Sequence, residues 1–469
     1  SRPRVRPPAS ARGLRRPTWV AGMLQHVALS LRPAWRRQLG GRSGTLGRPR
    51  RWGRPRCGPH PAHASVLPAE LVLGVWGACF GRFATSQATS QARDPLQRSG
   101  RRAAASGSSV APAARGATTW FEDVFGFAES PGSPEGHRKT RDAFEYDPAA
   151  GRLRAKASGR EFVAGRFSTP SLADLRARCD LDAAARILGS GPLSVREQVA
   201  DVSVLHTLPE NRFALFQAAS QFNTLEHTSQ FGIPEHGITC YQEDHTQGPA
   251  CATACAPGTV VRNYFGLDGE GHTREHQVQN LAGVEHVLGN GKHGYFSVSN
   301  GYTLATTDRL RELSERLQGD RDLCEAIRSS LRIGVQEDTE VVSSRFGAVL
   351  LRGVRGQQVV TQAYCSAVSV TYSSCSARDW EPFARLILEA AYEATLYAAV
   401  ENALRHPKER GARKVFLTVL GGGVFGNRME WIADAMAASF EKFGRFGLDV
   451  VLVSHGARKP GLRPLLTSH

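Results

Sequence analysis

Three stretches of this sequence hold residue types at spacings that chemistry can use. The first is Gly421-Gly422-Gly423-Val424-Phe425-Gly426-Asn427, set between the apolar run Val415–Leu420 and the amphipathic run Met429–Phe443. Glycines let a backbone come within hydrogen-bonding distance of a ligand and take up positive φ. A helix opening at Arg428 turns its unpaired N–H groups and positive dipole end toward the same spot, with Asn427 as N-cap and Glu430 completing a capping box. Together these predict an anion site suited to a diphosphate, against the plainer reading of a tight turn with no ligand.

The second stretch is Gln217-Ala218-Ala219-Ser220-Gln221-Phe222-Asn223, where the apolar run from Phe213 turns polar. Ser220 and Asn223 then stand in the loop at a strand's C-terminal end, the edge at which open α/β sheets bind ligands. Their hydroxyl and amide suit a sugar or base, or they merely satisfy loop backbone. The third stretch runs from Tyr241 to Ala252, with Glu243, Asp244 and His245 in succession and Pro249 opening a helix of small residues that ends at Pro257-Gly258. Glu243 and Asp244 are candidate general acids or bases, and the helix start can meet a phosphate. The competing reading is a solvated acidic turn before a buried helix.

These stretches need a scaffold, and from Val195 onward strands alternate with helices, the signature of an α/β layer fold. Phe213–Ala218, Val359–Thr371, Val415–Leu420 and Leu448–Val453 read as strands. Asp379–Arg405 reads as a long helix with Phe383, Ile387, Ala390, Ala391, Ala394 and Ala398 on one face, and Asp308–Leu331 as a helical pair. Upstream, Lys156–Phe167 reads as a hairpin turning at Gly159 and Gly165, followed by a short helix with Thr169 as N-cap and Pro170 in its first turn. The resulting organisation is an Arg-rich tail over 1–118, an α+β extension over 119–195, an α/β domain over 196–460 with a helical insertion near 305–335, and a C-terminal tail over 461–469. The glycine loop also fits G-x-G-x-x-G, but only 43 residues follow Gly426, too few for the half-domain that a dinucleotide-binding unit needs downstream. No G-K-[ST] follows the glycines, which excludes a Walker loop.

Charge is distributed unevenly. The net +16 arises in residues 1–120, which hold 21 Arg, no Lys and two acids, Glu70 and Asp94, whereas the rest of the chain holds 38 Lys+Arg against 41 Asp+Glu. A basic nucleic-acid-binding domain is therefore not expected. From Met23 the leader has the composition of an organelle transit peptide, pointing to a plastid or mitochondrion; without one, the cytoplasm is expected. The apolar stretch Val66–Phe80 is too short for a membrane span. The nine cysteines contain no C-x-x-C pair, and no metal site, cofactor or disulfide framework is expected from them, although Cys251 and Cys255 have helical ligand spacing.

The order of elements resembles the macro domain superfamily, which binds ADP-ribose. The stretch from Tyr364 to Gly456 is similar to the second half of such a domain, with the G-V-F-G of Gly423–Gly426 in its loop. The stretch from Asp201 to Asn223 is similar to its first half, with the Q-A-A-S of Gln217–Ser220 where the family often has N-A-A-N. The resemblance implies a three-layer α/β/α sandwich with a mixed sheet, Asp201 near the adenine and Gly421, Gly422, Gly423, Val424, Phe425, Gly426 and Asn427 on the diphosphate. Gln242-Glu243-Asp244 also looks like the Q-E-E of the poly(ADP-ribose) glycohydrolases in that superfamily, although no triple glycine precedes it. Three readings stay open: a hydrolase of an ADP-ribose derivative using Asp244 or Glu243, a non-catalytic reader of ADP-ribose or of ADP-ribosylated protein, and an interaction protein with no nucleotide ligand.

Overall fold

The computed structural model describes residues 118–189, 191–351 and 356–467. The Arg-rich leader, its transit-peptide reading and the Val66–Phe80 stretch lie outside them. Seven strands form one mixed sheet: β1 (Arg166–Ser168), β2 (Ser194–Val199), β3 (Leu215–Ala219), β4 (Gly334–Glu340), β5 (Val359–Cys365), β6 (Lys414–Leu417) and β7 (Asp449–Ser454). Their spatial order is β1-β4-β5-β3-β6-β7-β2. The run from β5 through β2 is parallel, and β4 pairs antiparallel with both β5 and β1.

Alternate residues of the central strands bury against different helical layers. Leu215, Ala363, Val415, Leu417, Val450 and Leu452 share one core with two helices, α5 (Ala377–Arg405) and α6 (Met429–Phe443); two earlier helices, α3 (Thr307–Leu317) and α4 (Arg321–Ser330), join the same core. Phe216, Ala218, Val360, Tyr364, Phe416 and Val451 face the other way, onto α1 (Val202–Thr207) and α2 (Gln247–Ala254). The Phe216 and Phe416 rings, neighbours in register, stack at 4.3 Å. Each fully buried aromatic or aliphatic side chain here is worth about 1.5–3 kcal/mol, so the sheet is secured from both faces. The result is the expected α/β/α sandwich. In α5 the residues Ala390, Ala391, Ala394 and Ala398 are all buried, so the helix packs closely on the sheet. Its start is fixed by a capping box between Ser376 and Asp379.

Several local expectations shift. The hairpin lies at Arg152–Ala155 and Arg160–Val163, and Gly165 then diverts the chain into β1. Gly165 sits at φ +75, and a Cβ there would stand 1.7 Å from the Glu337 carbonyl oxygen. The next helix, Leu172–Arg178, is capped by Ser171 rather than Thr169, because only Ser171 has an acid three residues on: its Oγ accepts from Asp174 N, and its amide donates to Asp174 Oδ2 at 2.9 Å. The strand expected over Val359–Thr371 ends at Cys365.

The extension before residue 195 is woven into the domain, since it supplies the edge strand β1 and leads directly into β2, which starts at Ser194. Its aromatic residues Trp120, Phe121, Phe125, Phe144 and Phe162 pack on Ile238, Tyr241, Ala252 and Ala256. At the other end Leu462 and Leu465, within the expected C-terminal tail, are buried in the main core. Among the described residues no helix is long and apolar enough to cross a membrane, and no cluster of three metal-ligating side chains occurs.

Candidate functional site

Because β2, β7, β6, β3 and β5 run parallel, their C-terminal ends collect at one edge of the sheet. There a cavity of about 700 Å³ opens, lined from those ends by Asp201, Ser220, Cys365, Thr418 and Ser454. That volume lies within the usual range for small-molecule sites.

One wall is the glycine loop. Gly421, Gly423, Val424 and Phe425 line the cavity, while Gly422, Gly426 and Asn427 do not. The loop is tied from below: Asn427 N donates to Gly421 O at 2.9 Å, Gly426 N to Gly423 O at 3.1 Å, and Thr371 Oγ1 to Val424 O. Among the described residues, the amides of Gly423, Val424 and Phe425 donate to nothing. The cap differs from the expectation. Arg428 occupies the N-cap of α6 without a side-chain hydrogen bond, and Asn427 instead turns inward, its Nδ2 donating to Val368 O at 2.8 Å. The Asn427 amide is therefore a brace between the loop and the segment after β5. Gly422 also plays a different part from the one its sequence suggests. A Cβ there would press on Ile432 Cδ1 at 3.0 Å, within the core side of the loop, whereas one at Gly423 would meet nothing within 4 Å.

The opposite wall is the acidic segment. Glu243 and Asp244 both line the cavity, Glu243 exposed and Asp244 half-buried, with Asp244 Oδ1 accepting from Thr246 N at 3.0 Å. The segment is anchored by the N-terminal extension. Glu129 accepts from the amides of Ile238 and Thr239, each at 2.8 Å, and Trp120 Nε1 donates to Thr239 O at 2.9 Å. The helix that follows, α2, begins at Gln247 rather than Pro249 and ends at Ala254; after a break at Cys255 a separate helix, Ala256–Val260, runs through the expected stop at Pro257-Gly258. Gln247 splices it to β3: its Oε1 accepts from Ala219 N and its Nε2 donates to Gln217 O, both at 2.8 Å.

Beyond β3 the two predicted polar residues separate. Ser220 lines the cavity. Asn223 does not; it is buried, with Nδ2 donating to Gln277 Oε1 at 2.8 Å and Oδ1 accepting from Leu225 N at 3.1 Å, and so shapes the loop. At the end near Asp201, the Asp201 carboxylate spends Oδ1 on Ser203, from its amide at 2.8 Å and its hydroxyl at 2.6 Å. Ser203 Oγ accepts in turn from Arg345 N at 2.8 Å, holding a turn in which Arg345, Phe346 and Gly347 all have positive φ. Backbone strain of roughly 1–3 kcal/mol per non-glycine residue is thereby sustained. It places Phe346 on the cavity, 4.8 Å from the His245 ring.

Among the lining residues that sequence reasoning passed over are Tyr302, Tyr372 and Glu226. Tyr302, Tyr372 and Phe425 form an aromatic cluster with ring separations of 4.8–5.6 Å. Tyr302 Oη donates to His227 O at 2.6 Å, and His227 N donates to Gln221 Oε1 at 3.1 Å, fixing the loop after β3. That loop delivers Glu226, which is 2% exposed and lines the cavity. Its Oε1 has no hydrogen-bond partner among the described residues. Burial pushes its carboxyl well above the ordinary range; the nearby Arg262 charge opposes that shift and the Asp244 charge adds to it. Burial likewise holds His227 neutral, its pKa lowered to about 4.

No protein-family model and no curated protein matches the sequence. Solved structures do match. A poly(ADP-ribose) glycohydrolase from Deinococcus radiodurans in complex with ADP-ribose is 14% identical, with a TM-score of 0.36 over 64% of this chain and 94% of that one. A poly(ADP-ribose) glycohydrolase from Thermomonospora curvata bound to the inhibitor ADP-HPD is 13% identical, with a TM-score of 0.31 over 70% of this chain and 96% of that one.

Proposed function

We propose that this cavity binds ADP-ribose or a related nucleotide diphosphate sugar and hydrolyses an ADP-ribose linkage. The observation that carries the reading is the loop Gly423–Phe425, whose residues line the cavity and whose three amides have no acceptor among the described residues. A row of free N–H groups at a turn favours a diphosphate, which offers several acceptor oxygens at that spacing. The nucleoside then lies toward Asp201, whose Oδ2 makes no hydrogen bond among the described residues and suits an exocyclic amine, with the Phe346 and His245 rings beside it. The terminal ribose lies toward Tyr302, Tyr372 and the acids Glu243 and Asp244. An ADP-ribosylated protein is a fitting substrate because Glu243 and Val424 at the cavity mouth are exposed.

Calorimetry with ADP-ribose, NAD and ATP tests the reading. Saturable 1:1 binding of ADP-ribose is expected; no heat from any of the three refutes it. Binding without release of ADP-ribose from a modified protein would make the protein a reader, and the hydrolytic half of the proposal would fall.

A further inference from the structure

Among the described residues, Glu226 is a buried acid that none of the roles above puts to use. It is a carboxyl 98% removed from solvent, with one oxygen unpartnered, at the wall of a cavity whose predicted acids lie elsewhere. Its position depends on a glycine. Gly248 is the second residue of α2, and a Cβ there would stand 2.2 Å from Glu226 Oε2 and 1.9 Å from Ala219 O. The gap left by that missing side chain is filled by a carboxyl arriving from a different loop. The main chain of Glu226 is held to the acidic segment, since its amide donates to Tyr241 Oη at 3.1 Å.

We propose that Glu226, seated in the gap that Gly248 leaves at the start of α2, is the proton donor of this cavity. The assignment rests on the reading of the cavity as an ADP-ribose hydrolase site. The titratable and charged groups near enough to act on Glu226 come from several elements: Tyr241 and Asp244 from the acidic segment, Arg262 from the turn after α2, Cys251 from α2 itself, Tyr302 from the short hairpin of Ser297–Ser299 and Tyr302–Leu304, and Tyr364 from β5. Arg262 is the one cation among them. Its guanidinium lies 3.5 Å over the Tyr364 ring and spends Nε on Thr224 O and Nη2 on Thr259 Oγ1. Its Nη1, like Glu226 Oε1, is buried without a hydrogen-bond partner among the described residues, and its charge opposes the rise that burial gives the Glu226 carboxyl.

In the step proposed, Glu226 gives that proton to the oxygen leaving the anomeric carbon of the terminal ribose as the carbon–oxygen bond breaks, both bonding electrons staying on the oxygen. Water then forms the new bond to that carbon, and the proton it sheds restores the carboxylic acid. One water is consumed, and the products are an alcohol and free ADP-ribose. Asp244, close enough for its charge to act on Glu226, remains the carboxylate that faces the developing positive charge.

Glu226→Gln keeps the side chain's shape and removes its titration. Release of ADP-ribose from a modified protein should fall about 10²–10⁴-fold, while calorimetric affinity for ADP-ribose changes less than about threefold. Infrared difference spectra at neutral pH should show a carboxylic-acid band in the wild type that is missing from E226Q. E226Q turning over at the wild-type rate with binding intact overturns the assignment and leaves the cavity reading standing. So does a wild type that binds ligand but lacks the acid band. A wild type that binds no ADP-ribose overturns the cavity reading, and this assignment with it.

Discussion

The burial of Glu226 has a thermodynamic signature that requires no substrate. A carboxyl raised above its ordinary value near 4.5 by burial binds its proton more tightly folded than unfolded. Below about 4.5 both states carry the proton and the residue's contribution is fully present. As pH rises from there toward the folded pKa, the unfolded state ionises first and stability drains away. For one proton the slope is about 1.4 kcal/mol per pH unit. Glu226→Gln removes that drain, so the variant should gain on the wild type by about 1.4 kcal/mol for each pH unit within this window. His206, His227 and His272 titrate in both proteins, so they cancel from the difference. Urea unfolding of the two proteins, followed by tryptophan fluorescence in half-unit steps from pH 4.5 to 8, measures it directly. A difference that stays constant across that range would mean that Glu226 is solvated or ion-paired in the native state, and a buried neutral acid at this position would be refuted.

Four further outcomes follow from the same geometry. Gly421→Ala should cost about 1–3 kcal/mol in unfolding free energy, because Gly421 sits at φ +65 and a Cβ would stand 2.5 Å from Asn427 Nδ2; unchanged unfolding would show that the loop relaxes freely. Gly423→Ala should leave the melting temperature unchanged and weaken ADP-ribose binding in calorimetry, since its Cβ points into open space beside the free amides. Asn427→Ala should destabilise by about 1 kcal/mol through loss of its bond to Val368 O, and circular dichroism should show α6 intact, since Asn427 does not cap it. In E226Q, which lacks the opposing slope of the buried acid, acid should weaken the fold as pH falls from about 6.5 toward 4, because burial lowers the pKa of His206 and of His227 to about 4 and the unfolded chain takes up those protons first; a midpoint flat over that interval would contradict their burial.

What the sequence made legible follows from how local each signal is. The span of α6, Met429–Phe443, was readable because its periodicity and the Gly444 stop are local, and the buried strands because both faces are apolar over consecutive residues. The ends of elements were less so. Ser171 won the cap from Thr169 through the placement of Asp174, and Gln247 extended α2 upstream of Pro249 by bonding to β3, a partner 28 and 30 residues distant. The extension before residue 195 looked separable because its one strand in the main sheet, β1, is short, and its place there is set by β4, far along the chain.

The site divides along the same line. The glycine loop and the Glu243-Asp244 pair were visible as contiguous motifs, and both reach the cavity. Asn223 and Gly422 belonged to the same motifs and turn away from it, since a loop of alternating orientation cannot direct every side chain to one side. Glu226 carried no motif at all. Its burial is produced by three segments that meet only in the fold: the loop after β3, the Tyr241 hydroxyl and the gap at Gly248. The one local trace was Gly248 itself, a glycine in the first turn of a helix, where its flexibility costs stability and its missing side chain must therefore serve something else. A carboxyl brought in from elsewhere explains why that glycine is there, and the extension explains why the gap stays open: Glu129 and Trp120 hold the Ile238–Thr239 turn, the turn holds Tyr241, and Tyr241 holds Glu226.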